Sequence, residues 1–271
     1  MTHSRPPHLT FLTDFGAFAT APAVCRGVIR DIAPDAVIND LSHAVTPFDI
    51  REGAFLLAMA LPYQPVGVHL VVVDPGVGTP RRPIGIRTGR GDVLIGPDNG
   101  VLRPAAEALG GVAEVRALEN QALWLPTVST TFHGRDIFSP VAAHVAAGTP
   151  FDEIGPEVDG LVDLNLPTAR RDGDALETAV LFIDTFGNCR LAGSTSDLGS
   201  VEPGQRFTVR AGGSGQRATL PWYPTFGAVA PGDPLLYEDA DYAGLGLAVN
   251  QGSAAKRFGL ALDAPVRIEP A

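Results

Sequence analysis

The stretch Val68-His69-Leu70-Val71-Val72-Val73-Asp74-Pro75-Gly76-Val77-Gly78-Thr79-Pro80-Arg81 decides the architecture of this chain. Residues 68–73 are apolar nearly throughout. A strand with apolar side chains on both faces must be covered on both, which is the condition of a parallel strand inside an α/β sheet. The strand runs into a carboxylate, Asp74, and a glycine-rich turn then returns an arginine, Arg81, seven residues later. The C-terminal ends of strands are where α/β sheets hold ligands. On its own the Asp-Pro-Gly sequence also serves as a plain turn, its carboxylate bonded to nearby backbone. Arg81 and Arg82, taken alone, read as surface arginines.

Outward from this strand, strand and helix signals alternate. His8–Leu12 is a short apolar strand ending at Thr13-Asp14. Pro22 opens a helix with Val24, Val28, Ile29 and Ile32 on one face, and Pro34 stops it. Ala36–Asp40 is a second strand. Thr46 reads as a helix N-cap, with Pro47 in the first turn and Asp49 at the capping-box position. Asp92–Ile95 and Val112–Val115 are further strands, and Ile137–Ala147 is a helix closed by Gly148. This is the pattern of a mainly parallel sheet with helices on its faces. The pattern changes after Leu166-Pro167. Residues 168–174 are polar and charged, as in a linker. Beyond them short strands follow at Glu177–Ile183, Arg206–Arg210, Arg217–Leu220, Pro234–Tyr237, Leu245–Val249 and Val266–Ile268, separated by Gly and Pro turns. The expected fold is α/β: an N-terminal domain over residues 1–167, then a smaller C-terminal all-β domain, a small β-barrel or a sandwich, over 168–271.

Composition narrows the function. A chain of 271 residues can bury a sizeable core, and 31 glycines with 24 prolines suit many tight turns. A net charge of −10 speaks against nucleic-acid partners, whose phosphates demand a basic face. No apolar run reaches the length of a membrane span, and residues 1–7 lack the apolar core of a signal peptide. Cys25 and Cys189 have no metal-ligand spacing, and Cys25 falls on an apolar helical face. Buried thiols in a reducing, cytoplasmic setting are expected, with no metal. Gly76-Val77-Gly78 lacks the third glycine of a dinucleotide-binding turn.

A second block, Thr131-Phe132-His133-Gly134-Arg135-Asp136-Ile137-Phe138, places a histidine beside a glycine at the mouth of another element. An isolated histidine is more often structural than catalytic. Yet a carboxylate, a guanidinium and an imidazole together can orient a water, accept its proton and stabilise the resulting hydroxide.

These two blocks, in this order, resemble the S-adenosylmethionine (SAM) hydrolases, also called SAM hydroxide adenosyltransferases, which are related to the SAM-dependent fluorinases and chlorinases. The likeness extends through Leu12-Thr13-Asp14-Phe15-Gly16, Asn39-Asp40-Leu41-Ser42-His43, Gly96-Pro97-Asp98-Asn99-Gly100, Ile183-Asp184-Thr185-Phe186-Gly187-Asn188 and Ala248-Val249-Asn250, nearly the whole chain. The resemblance implies hydrolysis of SAM to adenosine and L-methionine, with Asp74, Arg81 and His133 activating the water. It leaves open which of the three takes the proton. It implies no cofactor, SAM itself being the substrate. It also implies a homotrimer whose sites are shared between the first domain of one subunit and the second domain of its neighbour. Asp14 matches a carboxylate for the ribose hydroxyls and Phe48 an aromatic on the ribose. Asp184 matches a carboxylate for the methionine ammonium, Phe186 and Phe226 match aromatics on adenine, and Asn188 matches an adenine hydrogen-bonding residue. The nonenzymatic readings of the same residues are turn aspartates and core aromatics. Halide-using relatives lack the Asp, Arg and His, so the resemblance favours water over halide. The competing readings are a halogenase, or a SAM- or adenosine-binding protein without turnover.

The chain departs from the family pattern in two places. Ala19-Thr20-Ala21-Pro22 stands where the family has an acidic and aromatic run. Asp241-Tyr242-Ala243-Gly244-Leu245-Gly246 replaces a Ser-x-Gly-x-Leu-Glu run. Tyr242 is carried over as substrate-binding, while Asp241 falls where relatives have a serine on the methionine carboxylate.

Overall fold

The computed structural model describes residues 6–212, 216–239 and 244–271, and the chain divides into two compact units, Met1–Leu164 and Asn165–Ala271.

The first unit runs β1 (His8–Thr13), α1 (Ala21–Ile32), β2 (Val37–Ser42), α2 (Ile50–Ala60), β3 (Val68–Val72), β4 (Pro83–Thr88), β5 (Val93–Pro97), α3 (Arg103–Ala108), β6 (Val112–Ala117) and α4 (Ser139–Ala146). Its strands form one sheet in the order β2-β1-β3-β5-β4-β6. The β2-β1-β3-β5 pairings are parallel, whereas β4 runs against both β5 and β6. Side-chain alternation divides the core in two. Leu9, Phe11, Leu70 and Val72 meet Cys25 and Ile29 of α1 and Val141 of α4 on one face. Leu12, Val71 and Val73 meet Leu57 of α2 and Ala105 of α3 on the other. Every residue of β3 is buried, as its composition requires. His69 inside β3 is tolerated because both ring nitrogens are satisfied. Thr10 Oγ1 lies 2.9 Å from Nδ1, and Asp92 Oδ1 lies 2.9 Å from Nε2.

The strand order places the site. From β1 the chain goes through α1 to β2 on one side, then returns through α2 past β1 to β3 on the other. Such a reversal opens a crevice at the C-terminal ends of the two strands that flank it. Asp14 follows β1 and Asp74 follows β3, so both carboxylates stand at that crevice.

Local details differ from the sequence reading. The inward face of α1 is Pro22, Cys25 and Ile29, while Val24 is exposed. Helix α2 begins at Ile50, not after Thr46. Phe48 has φ +70°, which no right-handed helix accepts, so the cap moves to Asp49, whose side chain accepts from Glu52 N at 2.9 Å. Glu52 Oε2 in turn accepts from Thr46 N at 2.8 Å. The helix expected over 137–147 starts as a π-helical turn, Gly134–Phe138, that leads into α4. Strand β4 and helix α3 were not anticipated.

The second unit contains β7 (Arg170–Asp172), β8 (Ala175–Ile183), β9 (Cys189–Leu191), β10 (Arg206–Ala211), β11 (Gln216–Pro221), β12 (Pro234–Asp239), β13 (Gly244–Val249), α5 (Ala254–Phe258) and β14 (Pro265–Pro270). Its sheet runs β11-β10-β14-β8-β9-β13-β12, with β7 on β8, and all ladders are antiparallel. A bridge between Trp222 and Leu236 brings β11 and β12 together, so the sheet is a nearly closed barrel. Its interior holds Leu176, Val180, Leu191, Phe207, Val209, Leu236, Leu247 and Phe258. The charged stretch read as a linker contains β7, pinned by Arg170 to Glu177 and by Asp172 to Arg267.

Cys25 and Cys189 are buried and free, and burial pushes their thiols up to about 11 and about 12. Among the described residues no helix is long and apolar enough to cross a membrane.

Candidate active site

Asp74, Arg81 and His133 meet in the first unit. The Arg81 guanidinium donates to Asp74 through Nε, at 2.9 Å to Oδ1 and 3.0 Å to Oδ2, and through Nη2 to Oδ2. Nη2 also donates to His133 Nδ1 at 2.9 Å. Arginine is a donor only, so Nδ1 carries a lone pair and the proton of the neutral ring sits on Nε2. Burial and the Arg81 charge push the imidazole below its ordinary range, against the opposing pull of Asp74. The side chains of Arg81 and Asp74 are only 9% and 5% exposed, so their attraction is weakly screened. Arg81 also lies over the Phe138 ring, 5.0 Å from its centroid.

Residues of the quoted motifs position this cluster and the Asp14 turn beside it. Asn99, from Gly96-Pro97-Asp98-Asn99-Gly100, donates to the carbonyl of Val73 at 2.8 Å and so fixes the backbone entering Asp74. Its neighbour Asp98 accepts from Arg82 and from Val162 N. Arg82 is therefore a paired residue and not a loose surface charge. Asp136 accepts from Ser129 N at 2.8 Å and from Arg135, holding the loop that delivers Thr131, Phe132 and His133. Gly78 must be glycine, since at φ +77° a Cβ would stand 2.6 Å from the carbonyl oxygen of Thr130. His43, from Asn39-Asp40-Leu41-Ser42-His43, bonds Thr13 Oγ1 at 3.0 Å, and Thr13 Oγ1 accepts from Phe15 N. That pair shapes the turn carrying Asp14.

A cavity of about 230 Å³ opens here, lined by Asp14, Phe15, Pro47, Phe48, Val72, Asp74, Val77, Thr131, Phe132, His133 and Gly134. Asp14 Oδ2 accepts from Phe48 N at 2.9 Å, so the left-handed Phe48 delivers an amide to Asp14 and leaves its own ring 71% exposed. Val77, Thr131 and Phe132 were not singled out from sequence. They sit inside the two quoted blocks, and only their neighbours bore recognisable chemistry.

In the second unit a pocket of about 560 Å³ is lined by Phe186, Asn188, Phe226, Val249, Asn250, Gln251 and Gly252. Phe186 is 77% exposed, an unusual position for so large an apolar ring. The turn that presents it is built by Asp184. Its carboxylate accepts from Phe186 N, Asn188 N and Asn188 Nδ2 at 2.8–2.9 Å. Phe226 meets Tyr237 edge to face at 4.9 Å. Asn250, which had no assigned role, ties the loop after Phe226 to the pocket through Val229 O at 2.8 Å. Asp241 and Tyr242 lie outside the described residues. Among the described residues no group of His, Cys, Asp and Glu could hold a metal ion.

Comparison with known proteins bears on this arrangement. A family profile described as the SAM hydroxide adenosyltransferase N-terminal domain matches residues 9–155, and the C-terminal domain of the same family matches residues 178–267. A Salinispora tropica protein named (R)-S-adenosyl-L-methionine hydrolase is 44% identical over 256 residues, 94% of each chain. An Actinoplanes protein named fluorinase is more distant, 28% identical across 85% of this chain and 87% of its own. The crystal structure of an uncharacterized conserved protein from Thermotoga maritima superposes with a TM-score of 0.89 at 35% identity, over 96% of this chain and 99% of that one. This chain belongs to the SAM hydroxide adenosyltransferase family.

Proposed function

We propose that this enzyme hydrolyses SAM to adenosine and L-methionine. Water attacks C5′ of the ribose in line with the C5′–S bond. That bond breaks, sulfur keeps its electron pair and becomes the neutral thioether of methionine, and one proton is released. The sulfonium is already a good leaving group, so the scarce ingredient is an oxygen nucleophile at neutral pH. The observation that carries the reading is the Asp74–Arg81–His133 cluster at the open end of β3. Asp74 is the proton acceptor within it, since the one lone pair of the neutral His133 is already engaged by Arg81, and Arg81 stabilises the developing hydroxide. Asp14 receives the ribose hydroxyls and Phe48 packs on the ribose. Phe186 and Phe226 flank adenine, Asn188 bonds it, and Asp184 and Tyr242 serve the amino-acid end. A carboxylate beside the nucleophile's position would repel a halide, and the 44% relative is named a hydrolase, so water is favoured over chloride or fluoride. Turnover in ¹⁸O-water places the label on the 5′-oxygen of adenosine. Unlabelled adenosine, or a 5′-halo-adenosine in halide buffer, rejects the mechanism.

The cavity beside Asp74, at about 230 Å³, is smaller than the few hundred Å³ a complete ligand of this size occupies. This supports substrate contacts from further elements, and the assembly proposed is a cytoplasmic homotrimer with shared sites. Light scattering should report about three chains per particle. Mixing inactive Asp74→Ala and Asp184→Ala chains should restore activity. An active monomer refutes the shared site.

A further inference from the structure

The string Asn39-Asp40-Leu41-Ser42-His43 has no part in the scheme above, and its backbone is irregular. Along the parallel ladder of β1 and β2, Phe11 pairs with Asp40 but Leu12 pairs with Ser42, so Leu41 is an extra residue. A bulge re-aims the side chains around it, and parallel ladders rarely carry one. The residue that follows this bulge is His43, whose side chain is 9% exposed.

His43 grips the turn after β1 on both sides of Asp14. Its Nδ1 lies 3.0 Å from Oγ1 of Thr13, the residue before Asp14. Its carbonyl accepts from Gly16 N, two residues after Asp14, at 2.8 Å. Thr13 is fully buried, and its hydroxyl oxygen also accepts from Phe15 N at 3.2 Å. The far end of the ring is held as well. Nε2 lies 3.2 Å from Asp40 Oδ1 and 3.3 Å from Nη1 of Arg26 on α1, and that guanidinium donates to Asp40 Oδ2 at 2.7 Å. Phe11 meets the ring edge to face at 4.8 Å. A hydroxyl donates or accepts, so the Thr13 bond holds in either tautomer of the ring. Burial pushes the imidazole below its ordinary range, so at neutral pH the ring is an uncharged tether. From a different element, Phe48 N fixes one oxygen of the same Asp14 carboxylate. A carboxylate that receives two neighbouring hydroxyls has to be held to within about 0.5 Å, and supports of this kind do that.

We infer that His43 is a positioning residue: braced by Asp40 and Arg26 and acting through Thr13, it aims Asp14 at the ribose hydroxyls and so sets a preference for ribonucleosides over 2′-deoxyribonucleosides. That role presupposes the ribose contact proposed for Asp14 but not the turnover of SAM. Adenosine and 2′-deoxyadenosine are titrated calorimetrically into the full-length protein and into His43→Leu, His43→Asn and Thr13→Val variants. SAM turnover is measured in parallel.

Wild type is expected to prefer adenosine by on the order of 10–100-fold, the worth of a hydrogen bond to a charged group. His43→Leu should lose most of that preference by weakening adenosine alone. His43→Asn keeps a polar atom near the place of Nδ1 and should restore part of it. Thr13→Val removes only the hydroxyl and should match His43→Leu, so it decides the matter where the leucine variant does not fold. A wild type that binds both nucleosides equally overturns the inference. So does a variant that weakens both alike, the signature of a merely structural part, or one that keeps the full preference. A preference that collapses in the variants of a protein that turns over no SAM upholds the inference and rejects the hydrolase reading instead.

Discussion

The pocket beside Asp74 and the pocket beside Phe186 are built on opposite principles. In the first unit the side chains proposed for catalysis satisfy one another: Asp74, Arg81 and His133 are bonded into one chain, largely buried, and braced by Asn99 and Asp136. In the second unit the polar groups are spent on the turn itself, and what faces outward is aromatic surface, Phe186 above all. A preorganised charge cluster suits the stabilisation of a transient charge, because no reorganisation is needed when the charge appears. Exposed rings suit capture of a flat apolar base, where area and stacking supply the affinity. On the proposed reading, the parallel-sheet unit is organised for chemistry and the barrel for recognition.

The sharpest way to break this division is to disarm the cluster. Asp74→Ala, Arg81→Ala and His133→Ala should each lower kcat by on the order of 10²–10⁴-fold with the fold retained. The three losses should not add, because the residues act as a unit. Steady-state kinetics with circular dichroism checks this, and a near-native rate in any one variant removes that residue from the mechanism.

A smaller effect, of a different kind, is expected in the barrel. Phe186→Ala should weaken adenosine and SAM binding by roughly 5–100-fold, the usual worth of stacking one base on one ring. Its kcat should change far less than its KM. If kcat falls as steeply as in the cluster variants, the separation of chemistry from recognition fails.

The mildest test is pH. The folded His133 holds its proton less tightly than the ordinary value of 6.5, through burial first and the Arg81 charge second. Between its lowered pKa and 6.5 the native state binds fewer protons than the unfolded chain. Stability therefore rises with pH through that window and is lost as pH falls through it. Protonation also removes the lone pair that accepts from Arg81. The acidic limb of kcat/KM should lie below the ordinary histidine range, with a plateau at neutral pH. A limb at or above 6.5 contradicts the assigned tautomer.

How far the molecule was legible in its sequence varied along the same division. Residues 68–74 announced a doubly covered strand ending in a carboxylate because its burial is written residue by residue. Strand β4 went unread because Pro83, Gly85 and Arg87 look like a continued turn. It exists through antiparallel pairing with β5 and β6, which local sequence does not display. Strand β9 is too short to show a period. The string holding Asp40 and His43 was visible as a motif but mute, since its partners Arg26 and Thr13 come from other elements. The start of α2 was misplaced because Thr46-Pro47-Phe48-Asp49 satisfies the capping rules twice, and only the tertiary bond from Phe48 N to Asp14 chooses between the two. Asp184 showed the limit of carrying a role over from a resemblance. The family resemblance implied a ligand carboxylate, and the structure gives that carboxylate three bonds within its own turn.

Phe48 couples the fold to its use through conformational strain. A left-handed backbone at a bulky residue costs on the order of 1–3 kcal/mol, a notable part of a typical domain's margin. Here that energy is held in a single peptide, balanced by the bond to Asp14 and the Asp49 cap of α2. Asparagine at this position would relax the backbone and favour folding, yet it would remove the ring proposed to pack on the ribose. On the proposed reading, stability and capture of substrate are set against each other in one residue. Selection for heat resistance alone would erode this position first, and a thermostable variant that keeps Phe48 must draw its added stability from elsewhere in the molecule.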